Sequence, residues 1–208
     1  MTHKKQLVES GIPVKQAGKA IIMLHGRGAS ARDILSLEDE LHLGGYYVAA
    51  IQATNYSWYP FGFMAPVAQN EPWLSSAVNL VKNVTDDIVA AGIGSDKIYI
   101  LGFSQGACLA LEFSCRHARK WGGIIAFTGG LIGEVVNAEK YAGNFDNTPV
   151  FIGNSDIDPH VPLDRTKESK QIMETLGAKV TLSIYPNMGH TINSHEFEMA
   201  NKLLTKSP

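Results

Sequence analysis

The chain has 208 residues, 45% of them hydrophobic and 18% charged, with a formal net charge of −2. That balance suits one domain over residues 1–208 with a self-sufficient core, and it leaves no electrostatic footprint for nucleic acid or an anionic membrane surface. No apolar run approaches the ~20 residues of a membrane span, no apolar stretch follows the basic start Met1-Thr2-His3-Lys4-Lys5 as in a signal peptide, and the histidines lack a metal-ligand spacing such as H-E-x-x-H.

Taken in chain order, Ala20-Ile21-Ile22-Met23-Leu24 is apolar throughout and predicts a strand buried on both faces. A Gly-rich turn, His25-Gly26-Arg27-Gly28-Ala29-Ser30, follows it, then a helix from about Ala31 to Leu43 and a strand near Tyr47–Gln52. Residues 54–72 are rich in aromatics, Pro and Gly and have no period, as expected of a functional loop. Helical spacing returns from about Trp73 to Ala91 and stops at Gly92-Ile93-Gly94. The β-rich run Lys97–Leu101 then leads into Gly102-Phe103-Ser104-Gln105-Gly106, and Ala107–Phe113 continues as a helix. Further strands are expected at Gly123–Phe127, Val150–Gly153 and Lys179–Tyr185, and helices near Leu163–Leu176 and Ser194–Leu204. Residues 129–147 read as an irregular excursion. Cys108 and Cys115 sit seven apart on one helix, ~10 Å along its axis, which exceeds the ~7 Å limit for a disulfide. Both are therefore expected as free thiols in a reducing, cytoplasmic setting.

Alternation of this kind predicts a mostly parallel sheet with helices on both faces, and in such sheets ligands bind beyond the carboxyl ends of the strands. Four segments meet that condition. The first is G-x-S-x-G between a strand and a helix, a sharp turn that exposes the Ser104 hydroxyl while its glycines relieve crowding. The second is the turn at residues 25–30, whose amide at Arg27, with that of Gln105, is placed to form an oxyanion hole. In the third, Gly153–Pro162, Asp156 and Asp158 compete as the carboxylate that orients a histidine, and spacing alone does not choose between them. The fourth, Pro186-Asn187-Met188-Gly189-His190, presents His190 as the base after the last strand. His195 falls inside the final helix, and His25, His42, His117 and His160 are singly placed, so structural or solvent-facing roles are expected of them. Ser, Asp and His then follow one another in the order that this architecture uses.

On these motifs the chain resembles the carboxylesterase/phospholipase family of compact α/β-hydrolases, which includes acyl-protein thioesterases and small bacterial esterases. The resemblance rests on His25-Gly26-x-Gly28, Ser57-Trp58-Tyr59, the 102–106 elbow, Asp158-Pro159-x-Val161-Pro162 and Gly189-His190, and it covers nearly the whole chain. It implies an α/β-hydrolase fold with a minimal cap or none and a serine carboxylesterase that needs no metal or organic cofactor. It also selects Asp158 over Asp156. Two departures bear on the substrate: Arg27 stands where thioesterases of the family carry a small or apolar residue, and the segment 58–64 is unusually aromatic. Together they favour a small or aromatic ester, with Trp58, Tyr59 and Phe61 as substrate contacts and Arg27 meeting a substrate carboxylate or phosphate. For the aromatics the alternative is core packing under a loop. Rival functions are a long-chain acyl-protein thioesterase or lysophospholipase and a non-catalytic hydrolase-fold binding protein. The expected partner is a small-molecule ester or thioester, with no nucleic acid and no stable membrane insertion; homodimerisation is left open.

Overall fold

Strands inside the sheet are largely apolar at successive positions because both of their faces are covered, whereas the edge strand at Lys179–Tyr185 alternates and stays partly exposed. In a computed structural model that describes residues 2–205, these strands are β2 (Lys19–Leu24), β3 (Tyr46–Ile51), β4 (Ile98–Phe103), β5 (Gly123–Phe127), β6 (Pro149–Ser155) and β7 (Lys179–Tyr185). They run parallel, and β1 (Leu7–Gly11) adds to β3 in the antiparallel sense, giving the order β1-β3-β2-β4-β5-β6-β7. Alternate residues serve opposite faces. Ile22, Leu24 and Ile100 join Leu109 and Phe113 on one side; Ile21, Met23 and Leu101 join Ile34, Ala200 and Leu203 on the other. The helices that cover these faces are α1 (Ala31–Leu35), α2 (Val67–Asn70), α3 (Trp73–Ala90), α4 (Gln105–Arg116), α5 (Leu163–Thr175) and α6 (Ser194–Thr205). This is an α/β-hydrolase fold.

Several expectations change in detail. The helix expected to reach Leu43 ends at Leu35 and tightens into a 3-10 turn over Ser36–Glu40. At Ser36 the hydroxyl bonds back to the Asp33 carbonyl at 2.7 Å and the amide is shared between the Arg32 and Ile34 carbonyls, which favours the tighter winding. Strand β1 was not expected: Leu7-Val8-Glu9-Ser10-Gly11 is short, at the edge and only partly buried, so its periodicity is weak. Helix α2 likewise interrupts the loop 54–72.

The excursion 129–147 contains only a 3-10 turn at Ala138–Lys140, yet Gly129–Gly133 are buried. A buried loop needs partners for its backbone groups. Here the Arg165 guanidinium donates to the carbonyls of Leu131 (3.0 Å), Gly133 (2.6 Å) and Glu134 (2.9 Å), while the buried Glu112 carboxylate accepts from the Ile132 amide at 3.1 Å and the Tyr141 hydroxyl at 2.7 Å. Among the described residues, no helix is long and apolar enough to cross a membrane.

Candidate active site

Strand β4 ends at Phe103 and α4 starts at Gln105, so Ser104 alone makes the turn. Its φ of +54° and ψ of −120° lie in a region that L residues rarely adopt. The Ser104 amide donates to the Phe127 carbonyl at 3.0 Å and its carbonyl accepts from the Cys108 amide at 3.0 Å, which fixes the strained residue at both ends. A side chain on Gly102 would meet the Gly106 carbonyl, and one on Gly106 would meet the Leu24 carbonyl. Only glycines fit at these two positions, because α4 starts so close to the ends of β2 and β4.

The serine hydroxyl lies 2.8 Å from His190 Nε2, and His190 Nδ1 lies 2.7 Å from Asp158 Oδ2. With the Nδ1 proton directed at the carboxylate, Nε2 is free to accept from Ser104. The other Asp158 oxygen accepts from the amides of His160 and Val161, both at 2.8 Å. Burial works to raise the Asp158 pKa, but the bonds from His190 and from these two amides outweigh it and hold the carboxyl below its ordinary range. Asp156 serves elsewhere, accepting from the Asn187 amide at 2.8 Å. The His190 loop is secured by the Ser155 hydroxyl, which donates to the Met188 carbonyl. His190 itself stacks against Phe103, with ring centroids 5.2 Å apart, and meets His160 edge-on at 4.8 Å.

The backbone amides of Arg27 and Gln105 donate to no protein group among the described residues. Their side chains act on the aromatic loop. Gln105 Oε1 accepts from the Trp58 amide at 3.0 Å and its Nε2 donates to the Tyr59 carbonyl at 2.8 Å. The Arg27 guanidinium donates to Ser57 Oγ (3.1 Å), the Pro60 carbonyl (2.8 Å) and the Phe61 carbonyl (2.5 Å). These bonds hold the loop, and Arg27 also lines the cavity, where the sequence placed it against a substrate anion. His25 is buried and neutral. Its Nδ1 donates to the Gly26 carbonyl at 2.7 Å, its Nε2 accepts from the Ala53 amide at 3.0 Å, and burial lowers its pKa.

A cavity of about 350 Å³ opens above Ser104 and His190, walled by Arg27, Tyr59, Phe63, Cys108, His160 and Val161. The three aromatics expected to meet substrate separate here. Tyr59 lines the cavity. Trp58 does not: it is fully buried, its indole donates to the His25 carbonyl at 2.8 Å, and it packs beneath the loop. Phe61 does not either, being 53% exposed outside the cavity wall. Phe63, Val161 and His160 went unanticipated as wall residues. The D-P-x-V-P spacing gave a signal for the last two, since a carboxylate capped by the next amides brings residues 160 and 161 to His190. Cys108 also faces the cavity, but burial pushes its thiol up to about 12, so it stays protonated.

The phospholipase/carboxylesterase family profile matches residues 45–207. The chain belongs to the phospholipase/carboxylesterase family. The crystal structure of a phospholipase/carboxylesterase from Dyadobacter fermentans DSM 18053 is 52% identical to it, with a TM-score of 0.97 and 99% of each chain covered. Curated relatives are more distant. Acyl-protein thioesterase 1 of Gibberella zeae is 30% identical over 126 residues, covering 60% of this chain and 54% of the relative. A probable carboxylesterase SOBER1-like of Arabidopsis thaliana is 26% identical over 145 residues, covering 68% and 55%. The chain thus spans about half the length of the curated relatives it matches.

Proposed function

We propose that this family member is a serine carboxylesterase that hydrolyses small or aromatic carboxylic esters through an acyl-enzyme. The observation that carries this reading is the continuous chain from Ser104 Oγ through His190 to Asp158, with links of 2.8 and 2.7 Å, beneath an open cavity. His190 Nε2 takes the Ser104 proton as Oγ bonds to the ester carbonyl carbon. The resulting oxyanion is held by the Arg27 and Gln105 amides, and Asp158 stabilises the imidazolium. As the tetrahedral intermediate collapses, the carbon–alkoxide bond breaks and His190 passes the proton to the leaving oxygen. Water then enters by the same route, releases the acid and restores Ser104. The cavity's modest volume and its walls of Tyr59 and Phe63 support a short or aromatic acyl group over a long chain. Seven strands in one sheet support a single domain.

Hydrolysis of p-nitrophenyl esters from two to sixteen carbons tests the reading, with Ser104→Ala as the control. Serine-dependent turnover with a maximum at two to six carbons is expected. A maximum at eight or more would replace the small-ester reading with a long-chain acyl hydrolase, and no serine-dependent turnover would overturn the esterase.

A further inference from the structure

His190 also lines a second hollow. A groove of about 490 Å³ runs from His190 across Phe103, Ile34, Leu37, Ile192 and Phe197, with Asp33 on its rim. It lies on the sheet face covered by α1 and α6, where Ile34 is packed and Phe103, Leu37, Ile192 and Phe197 are only partly buried. The cavity and the groove share His190, but only the cavity reaches Ser104 and Gln105.

That division matters for an ester, whose two halves have different fates. The acyl half stays bonded to Ser104 Oγ after the first step, so it must fit where Ser104 opens, in the cavity. The alcohol oxygen is bonded to the same carbonyl carbon, so it lies in the cavity between Ser104 and His190 Nε2, which protonates it as the carbon–oxygen bond breaks; only the alkyl or aryl part beyond that oxygen extends past His190. We propose that the groove is the leaving-group site and that it takes the neutral, apolar alkyl or aryl part of the ester's alcohol; this assignment rests on the esterase reading above. Apart from His190 itself, Thr191 and the buried His25, the walls supply apolar contact, and no Lys or Arg is among them. The Asp33 carboxylate at the rim, already accepting from the Ser30 amide at 2.7 Å and the Ser30 hydroxyl at 2.8 Å, repels a phosphate- or carboxylate-bearing leaving group. With Arg27 beside the cavity and Asp33 beside the groove, the site is electrostatically polarised between the two hollows.

The test uses two ester series on the intact protein. One keeps acetate and lengthens the alcohol from ethanol through hexanol to benzyl alcohol; the other keeps ethanol and lengthens the acid from acetate to hexanoate. Because kcat/KM reports the steps up to acylation, it carries the alcohol's contacts. In the parent it should rise about threefold per alcohol methylene until the groove is filled. Leu37→Trp, which fills the groove from a half-buried position, should abolish that gradient while leaving the acid series within about twofold. Ile192→Gln should weaken the gradient without filling the groove. Labelling of Ser104 by a small fluorophosphonate and an unchanged melting temperature verify that each variant is folded and competent. Gradients that survive in both labelled variants, or acid and alcohol series that shift together, overturn the groove assignment while the esterase stands. If Ser104→Ala has the same turnover as the parent throughout, the esterase reading fails and the groove assignment falls with it.

Discussion

The strand ends and the aromatic loop meet over one cavity, but they are held there in different ways. Ser104, Asp158 and His190 each follow a strand of the central sheet; backbone groups hold the first two, the Phe127 carbonyl at Ser104 and the His160 and Val161 amides at Asp158, and the Ser155 hydroxyl holds the His190 loop at the Met188 carbonyl. The loop 54–72 is tied down from outside by side chains of Gln105 and Arg27 reaching to residues 57–61, and from within by Asn70, whose Oδ1 accepts from the Phe61 amide at 2.9 Å. Placement at strand ends leaves Ser104, Asp158 and His190 independent of the loop 54–72. Side-chain placement lets substitutions reshape the cavity without moving the chemistry.

The largest effects are therefore expected at the strand ends, in turnover and without loss of fold. Ser104→Ala and His190→Ala should each lower kcat by on the order of 10⁴–10⁶, because the groups act as a unit. Melting temperatures within a few degrees of the parent would show that the loss is chemical. Next comes the choice between neighbouring carboxylates. Asp158→Asn should lower kcat by about 10⁴, whereas Asp156→Asn, which touches only the Asn187 amide, should stay within about fivefold. Equal losses at the two positions would break the assignment of the orienting role to Asp158.

Loop variants should act in the other direction, on substrate binding more than on turnover. Gln105→Ala keeps the backbone amide but leaves the buried Trp58 amide without its acceptor, a cost of about 1–3 kcal/mol. We expect a lower melting temperature and a KM raised several-fold, with kcat changed less. Arg27→Met removes three bonds of an exposed side chain and should do the same more weakly. A fall in kcat at constant KM for either variant would mean that the loop and the reacting groups are not separable.

The effect furthest from turnover is on stability and concerns the support of β6 and the His190 loop. Glu196 is buried on α6; its Oε2 accepts from the Asn193 amide at 3.0 Å and its Oε1 has no partner among the described residues. Burial raises its pKa from 4.5 to about 7, against the opposing pull of the Asn193 bond. The folded state thus holds this proton more tightly than the unfolded one, so the parent loses stability as pH rises from about 4.5 to 7, by at most about 3 kcal/mol. Glu196→Gln removes that slope. The difference in melting temperature should move in the variant's favour from pH 5 to pH 8, and a constant difference would refute the linkage.

Much of this site was legible in one dimension. The elbow glycines could be read because a serine turning directly from strand into helix leaves no room for a Cβ at Gly102 or Gly106, a local constraint that leaves a local signature. The order Ser104, Asp158, His190 and the position of each after a strand follow from the parallel sheet, whose carboxyl ends all open on one side. Residue spacing did not choose between Asp156 and Asp158; family resemblance selected Asp158, and the geometry puts it on His190. Edge strand β1 and the early end of α1 were not readable, since a partly buried strand has little periodicity and a hydroxyl bonding back to its own turn resembles any other serine.

What the sequence by itself determined, then, is the fold class and the placement of Ser104 and His190 after strands, because both follow from short-range patterns along the chain. Tertiary structure alone decided the rest. It buried Trp58, exposed Phe61, turned the Arg27 side chain onto the loop, and made His190 part of the wall of both the cavity and the groove. Each of these depends on contacts between segments 30 or more residues apart, such as Arg27 with residues 57–61 or His190 with Phe103. Such contacts form only when the sheet brings its loops together, and no pattern within either segment encodes them.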